Sequence, residues 1–395
     1  MFAVLTYQPN SHSLRSCSPA TSDVEPAPSL SQDGPGTVAA SVAVDVVVPA
    51  FERKPMQRNL EPITATQAIE MFVRERRPDV AASTAKAYQY RLGHFVRWCS
   101  EREITNLNGL SGRDLHEYRL WRRDDGDLNR TSLKTQMDTL RVFVRFCERI
   151  DAVERDLHTK VVSPSLAADE DQRDAMLDAD TAGDVLEYLR RFRYASRDHL
   201  VPEVLWHTGM RTGSLRAVDI DDYHPEDEYL EVRHRPETDT PLKNKQNGER
   251  LVALAPRVCE VIDKWISHRR PDVEDEYGRS PLVTTPQGRP HPSTIRDVVY
   301  RVTRPCVYAG ECPHERDMDE CDAADGNTAV ASTCPSTESP HAIRRGSITY
   351  HLSEDVPEKV VVDRMNVSAD VLDAHYDRRS EEVKLEQRRS FLSDM

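Results

Sequence analysis

The amino-acid sequence predicts a mainly α-helical protein with a small antiparallel β-sheet, in which a helical N-terminal module precedes an α+β domain. Apolar residues recur at helical spacing from Ile63 to about Val153. Helical patterns continue after this region, but two short stretches, "YLEVRHR" and "RLVALAP", have the composition of paired strands. The 395 residues are enough for two domains, each with its own core.

Changes in composition divide the chain. Residues 1–60 are rich in Ser, Pro, Ala and Val, which predicts a disordered, low-complexity tail. Residues 61–155 are expected to form the helical module, 156–175 a linker, and 176–395 the second domain, with a cysteine-rich insertion at 305–338. No stretch approaches the roughly eighteen apolar residues of a membrane span, and the N-terminus lacks the pattern of a signal peptide. We therefore expect a cytoplasmic protein with no membrane partner.

The helical module is predicted to contain four helices, in "TATQAIEMFVRERR", "STAKAYQYRLGHFVRWCSER", "SGRDLHEYRLWRRD" and "TSLKTQMDTLRVFVRFCER". In the fourth, Leu140, Phe143, Val144 and Cys147 share one face, and arginines four residues apart share another. Such an arginine face is either solvated or in contact with phosphates, and the sequence leaves both interpretations open.

The net charge of −14 comes with 9 lysines and 44 arginines. An acidic, lysine-poor composition fits a very salty cytoplasm, as in a halophilic archaeon, although an ordinary acidic cytosolic protein is the alternative. The charge is unevenly distributed, because residues 61–160 hold 18 basic and 16 acidic side chains. This slightly basic module favours a polyanionic partner.

Four short motifs carry residues suited to chemistry on an anion. Arg211 follows a helix end in "LWHTGMRTGSLRAVDI", and Lys245 lies in the turn of "LKNKQNGERLVAL". His341 and Arg344 are three apart at the start of the helix in "SPHAIRRGSITYHL", where both side chains reach one ligand. Tyr376 lies in "DVLDAHYDRR". Taken singly, each is more often a surface or packing residue.

The order and spacing of these motifs resemble the tyrosine recombinase (phage integrase) family over residues 63–394. The resemblance implies that the helical module is the family's core-binding domain, with a SAM-like fold. It also implies that Arg211 and Arg344 are the catalytic arginines, Lys245 the lysine of the hairpin, and His341 a further member of the site. Lys243 is less favoured than Lys245.

By the same resemblance, Tyr376 is the nucleophile that cleaves DNA through a 3′-phosphotyrosyl intermediate. The expected protein is a site-specific recombinase that acts on double-stranded DNA as a homo-oligomer, a tetramer, and uses neither a nucleotide cofactor nor a catalytic metal. Two alternatives stay open. One is an integrase-like DNA-binding regulator without activity, and the other is a type IB topoisomerase.

The sequence departs from the family's pattern at two places. Val367 stands where the family has a histidine or tryptophan that hydrogen-bonds the phosphate. Ser214 replaces an acidic residue three positions after the first arginine. Both changes are expected to lower activity rather than to abolish it, and His375 is a possible substitute donor.

Four cysteines in the insertion suggest a structural metal. Cys306, Cys312, Cys321 and Cys334 are separated by five, eight and twelve residues, and His314 follows the second of them closely. Four thiolates around one zinc ion suit a loop without a hydrophobic core, with His314 as a possible replacement ligand. The alternative is that the four cysteines are unrelated.

Overall fold

The N-terminal helices begin at capping residues that the sequence provides. The structure is a computed structural model that describes residues 60–166, 175–324, 328–377 and 379–392. Thr64 and Ser111 each form a capping box at the start of a helix, and Asn129 caps another. The helices of this module are α1 (Ala65–Arg76), α2 (Ala82–Glu101), α3 (Gly112–Asp125) and α4 (Arg130–Arg149).

One apolar core holds these four helices together. The predicted face of α4 is confirmed, because its four apolar residues are 1% exposed. Leu157 and Val161 are buried in the same core, so the N-terminal part of the segment predicted as a linker packs against the helices. On the arginine face, Arg141 donates to the Val161 carbonyl and Arg149 pairs with Glu75. Of the three arginines on this face, Arg141, Arg145 and Arg149, the first and the last therefore have partners within the module.

The second part of the chain adds more helices and one sheet, which confirms the predicted fold class. No helix among the described residues is both long and apolar enough to span a membrane. The helices are α5 (Ala179–Phe192), α6 (Arg197–Thr208), α7 (Thr212–Ala217), α8 (Pro256–His268), α9 (Pro292–Val302), α10 (Pro305–Tyr308), α11 (Pro340–Ser353), α12 (Glu358–Met365), α13 (Ala369–His375) and α14 (Glu381–Leu392).

The sheet has three antiparallel strands, β1 (Tyr223–His224), β2 (Tyr229–Val232) and β3 (Arg250–Ala253), in that order. The predicted hairpin corresponds to β2 and β3, in which Leu230 faces Val252. The sequence did not predict strand β1, because a strand of two residues is too short to show alternating apolar and polar residues.

Helix α6 lies at the centre of the second core. It is apolar on most sides and packs against α5, α8, α9 and α11. Gly346 permits the close approach of α11 to the chain before α5, because a Cβ there would lie 1.9 Å from the carbonyl oxygen of Leu177. A smaller cluster joins α11, α12 and α13 and includes Tyr376.

The cysteine-rich insertion contributes little to these cores. Within its described residues, the buried apolar side chains are those of Ala323 and Ala331. Its C-terminal end is fastened to α9, since the Thr337 hydroxyl donates to the Tyr300 carbonyl and the Glu338 amide donates to Thr303 Oγ1 at 2.9 Å. The next residue, Ser339, caps α11.

Candidate active site

Arg211 is presented at a sharp turn between two helices. Gly209 ends α6 in the left-handed conformation, with φ of 57°, and Arg211 occupies the N-cap position of α7. A side chain at Gly209 would also collide with Met365, whose sulfur lies 2.5 Å from the position of a Cβ. The guanidinium of Arg211 donates to the carbonyl oxygen of Asn366 at 2.9 Å.

Arg344 reaches the same place from α11. Its side chain is 2% exposed and donates to the carbonyl oxygens of Gly209 and Met365, the latter at 2.8 Å. Its Nε is buried without a hydrogen-bond partner. Arg211 and Arg344 therefore converge on the segment around Asn366.

Tyr376 and His341 are in contact beside these arginines. The hydroxyl of Tyr376 lies 3.4 Å from Nε2 of His341, and Cζ of Arg344 lies 5.5 Å from the centre of the tyrosine ring. The backbone of Tyr376 is fixed as well, because Thr349 Oγ1 donates to its carbonyl oxygen at 2.7 Å. Four of the five predicted site residues thus form one cluster.

The positive charge of the cluster changes its acid–base properties. His341 keeps part of its ring open to solvent. Burial nevertheless lowers the pKa of His341 to about 4, and Arg345 and Arg344 add to this effect. The imidazole is therefore neutral at pH 7 and able to accept a proton. Burial, together with Arg211, lowers the pKa of Arg344 to about 10, so the guanidinium stays charged at pH 7.

Lys245 lies apart from this cluster. It is exposed, adopts φ of 52° and begins a short 3-10 turn, Lys245–Gly248, between β2 and β3. The predicted position in the hairpin is confirmed, but no contact links its ammonium to the other four residues within the described part of the chain. By contrast, Lys243 is among the positive charges that lower the pKa of His341.

Arg250 is a further cation beside the site, and the sequence analysis did not identify it. It opens β3 and donates to the carbonyl oxygen of Arg364 at 2.7 Å. The pKa of Arg250 is lowered to about 10, mainly by burial and to a lesser extent by the positive charges of Arg344 and Arg211. Within the ranges that the structure describes, Arg211, Arg344 and Arg250 form no ion pair with a carboxylate. In a chain of net charge −14, this uncompensated positive cluster is suited to binding an anion.

Asn366 was missed by the sequence analysis and connects the site. Besides accepting from Arg211, its side chain accepts from the amide of Asn244 and donates to the Asn247 carbonyl at 2.7 Å. It is the left-handed C-cap of α12, with φ of 50°. Asparagine is one of the few residues that adopt this conformation readily, which is the only sequence signal that marks the position.

The two departures from the family pattern are packing positions here. Val367 is 5% exposed within the cluster of α11, α12 and α13, and Ser214 is 8% exposed in α7. Valine has no side-chain donor, so Val367 provides no hydrogen bond to an anion. The side chain of His375, the suggested substitute, lies outside the described residues.

The five metal-ligand candidates of the insertion line one small cavity: Cys306, Cys312, His314, Cys321 and Cys334. As the side chains stand, no three His, Cys, Asp or Glu groups in the described ranges are close enough together to hold a metal ion. The zinc site is therefore not confirmed and stays a prediction.

Comparisons with known proteins agree with this architecture. Residues 71–150 match the family model described as phage integrase, N-terminal SAM-like domain. The tyrosine recombinase XerD of Listeria monocytogenes is 22% identical over 212 residues, which are 52% of this chain and 65% of that protein. The match thus spans less than two thirds of the curated relative's own length.

Two solved structures have a similar fold. The Tn1549 transposon integrase in complex with transposon right end DNA gives a TM-score of 0.58 at 15% identity, covering 83% of this chain and 99% of that one. A lambda integrase dimer bound to a core site gives a TM-score of 0.56 at 12% identity, covering 80% of this chain and 79% of that one. The fold and the clustered motifs define an integrase-like protein. The chain is similar to tyrosine recombinases in sequence over about half of its length, and its fold is similar to that of integrases.

Proposed function

We propose that this protein is a site-specific DNA recombinase that cleaves and rejoins strands through a covalent bond to Tyr376. One observation carries the proposal: the tyrosine hydroxyl lies beside a neutral imidazole, within a cluster of arginines that no described carboxylate neutralises. The ligand that this arrangement fits is a phosphodiester. The similar solved proteins include integrases bound to DNA, which supports double-stranded DNA as the partner.

The two arginines bind the scissile phosphate in this proposal. The planar guanidinium groups of Arg211 and Arg344 donate paired hydrogen bonds to the non-bridging oxygens and keep their charge at any working pH. Charge on these oxygens changes in the five-coordinate transition state, and fixed donors stabilise it without reorganisation. The backbone carbonyls that hold both arginines set the orientation of the donors.

The chemical step transfers one phosphoryl bond. The oxygen of Tyr376 attacks phosphorus, its proton passes to His341, and the bond from phosphorus to the 5′-oxygen breaks. Lys245 protonates the leaving 5′-oxygen. The 3′-phosphotyrosyl bond then undergoes the reverse attack by a free 5′-hydroxyl, which restores the phosphodiester and releases the tyrosine. Because the bond energy is conserved, the reaction requires no nucleotide cofactor.

The number of DNA strands that are exchanged determines the number of subunits in the assembly. Each chain forms one covalent bond with one strand, and exchange between two duplexes involves four strands. We therefore propose a tetramer on two DNA sites. A zinc ion in the insertion would be structural, since every step above uses protein side chains.

The test is covalent trapping in high potassium chloride. Purified protein is mixed with nicked duplexes from DNA flanking its own gene, so that cleavage releases a short fragment and cannot reverse. A slow-migrating adduct on a denaturing gel is expected for the wild type, and its loss is expected for Tyr376→Phe. The matched control Tyr350→Phe removes a hydroxyl from an exposed position on α11 and is expected to keep the adduct.

The outcomes separate the alternatives. Sequence-specific binding without an adduct would instead identify a DNA-binding regulator. A protein that forms the adduct and relaxes supercoiled DNA, but never joins two duplexes, would be a topoisomerase. Joined duplexes that depend on Tyr376 are the result expected of a recombinase.

A further inference from the structure

A cavity of ionic dimensions lies inside the cysteine-rich insertion. It is lined by the four thiols together with His314, Arg304 and Arg316, and its open space of about 10 Å³ holds a single water-sized sphere. All four cysteines are partly buried and unpaired. Four cysteines that span twenty-eight positions of the sequence thus line one cavity.

The insertion has no apolar core that explains this convergence. Its described residues bury only two alanines among apolar side chains, far less than a free-standing segment needs to offset the entropy of ordering its backbone. Small segments of this kind depend on disulfides or on a metal. The thiols are free, which leaves the metal.

The environment of Cys321 is suited to a thiolate. Arg316 lines the same cavity as Cys321. A guanidinium donor stabilises a charged sulfur and orients it, as the groups around metal-bound ligands do. Arg304 supplies a second guanidinium on the wall of this cavity.

The charge balance also favours a metal. Zinc with four thiolates carries a net charge of −2, and the two guanidinium groups on the cavity wall match it. His314 is already engaged, because its Nε2 lies 3.0 Å from the hydroxyl of Ser336. The four thiols by themselves supply the four ligands of a tetrahedral zinc site.

We propose that Cys306, Cys312, Cys321 and Cys334 bind one structural zinc ion. The sulfurs do not yet converge to ligand distance, so binding draws them in to about 2.3 Å from the ion and releases the thiol protons. Because the insertion is fastened to α9 and leads directly into the cap of α11, the ion stiffens the connection that ends two residues before His341.

The metal content of the intact protein tests the proposal without DNA. The full chain, purified with a non-thiol reductant and passed through a desalting column, is analysed for metals by mass spectrometry. About one zinc per chain is expected. Replacement by Co²⁺ is expected to give intense visible bands of tetrahedral geometry and near-ultraviolet thiolate charge transfer. Zinc far below one per chain, or an octahedral cobalt spectrum, would overturn the assignment.

Variants locate the site. Cys306→Ser and Cys334→Ser are expected to lose the zinc, whereas Cys17→Ser, in the N-terminal tail, and His314→Gln are expected to retain it. Equal loss in Cys17→Ser, or loss in His314→Gln, would contradict a site made of these four thiols. If the serine variants do not fold, the zinc content and cobalt spectrum of the wild type decide the question alone.

Discussion

Arg211 donates two hydrogen bonds to Asn366, one to its backbone carbonyl at 2.9 Å and one to its side-chain oxygen at 3.3 Å. The side chain of Asn366 also forms hydrogen bonds with Asn244 and Asn247, which lie on either side of Lys245 in the chain. A single amide therefore connects the first arginine to the loop that carries the predicted general acid.

Replacing Asn366 separates its backbone role from its side-chain role. Asn366→Gly keeps the left-handed backbone and the carbonyl but removes the side-chain bonds, so we expect cleavage to slow about tenfold, equivalent to roughly 1.4 kcal/mol. Asn366→Asp puts a carboxylate beside Arg211 and is expected to slow cleavage further, because it competes with the phosphate. Single-turnover adduct formation measures both. Wild-type rates in both variants would contradict a positioning role.

Local features explain how much of the fold was predictable. The caps Thr64 and Ser111, and the apolar face of α4, follow from residues within a few positions of one another, so the sequence alone located these helices. The grouping of Arg211, Arg344 and Tyr376 was predictable only through the resemblance, since no local pattern joins residues so far apart.

Long-range contacts explain what was missed. Asn366 matters because of a bond to Arg211, 155 residues away, and nothing adjacent to it in the chain indicates that partner. The convergence of the cysteines on one cavity was suggested by their number, but their spacing did not determine it. The distinction between Lys243 and Lys245 depends on which side of an exposed turn faces the site.

The two lysines of the hairpin can be distinguished by their leaving-group chemistry. Lys245→Ala is expected to slow cleavage by about 10²–10⁴-fold, because the 5′-oxygen then departs without a proton. A substrate with sulfur in place of the 5′-bridging oxygen has a leaving group that needs no proton. We expect this substrate to restore the rate of Lys245→Ala.

Lys243→Ala is the matched control, since it removes the same charge two residues away on the same exposed turn. It is expected to slow cleavage of the ordinary substrate only slightly. If sulfur rescues Lys243→Ala rather than Lys245→Ala, the general acid is Lys243, and the assignment of Lys245 is wrong.

The acid–base behaviour of His341 gives a prediction in pH. Its pKa of about 4 lies below the ordinary value of 6.5, so the ring is neutral above this range and gains a proton only as the pH falls through about 4. NMR titration of the ring carbon of His341 in DNA-free protein is expected to have its midpoint there. Lys243→Ala is expected to raise the midpoint, because one positive charge is removed. A midpoint at 6.5 would mean that the His341 ring is mostly charged at mildly acid pH, and it would contradict a neutral base under those conditions.

The turn that follows α7 is held by a buried ionic group. The carboxylate of Asp219 is 10% exposed and accepts from Nε of Arg279 at 2.8 Å and from Arg289 at 2.5 Å, with Arg235 at 3.5 Å. Three guanidinium groups therefore share this carboxylate, and Arg235 and Arg289 also pair with the buried carboxylates of Asp222 and Asp275.

Asp219→Asn is expected to lower the free energy of unfolding by about 3–5 kcal/mol, because three largely buried guanidinium groups then share only the carboxylates of Asp222 and Asp275, and Arg279 loses its counter-charge. The same substitution at Asp272, whose side chain is fully exposed 4.0 Å from an arginine, is expected to leave the free energy of unfolding nearly unchanged, because water screens this pair. Urea unfolding followed by circular dichroism measures both changes at constant ionic strength. Since burial is the physical difference between the two ion pairs, equal losses would mean that the Asp219 group is solvated and does not hold the turn that follows α7.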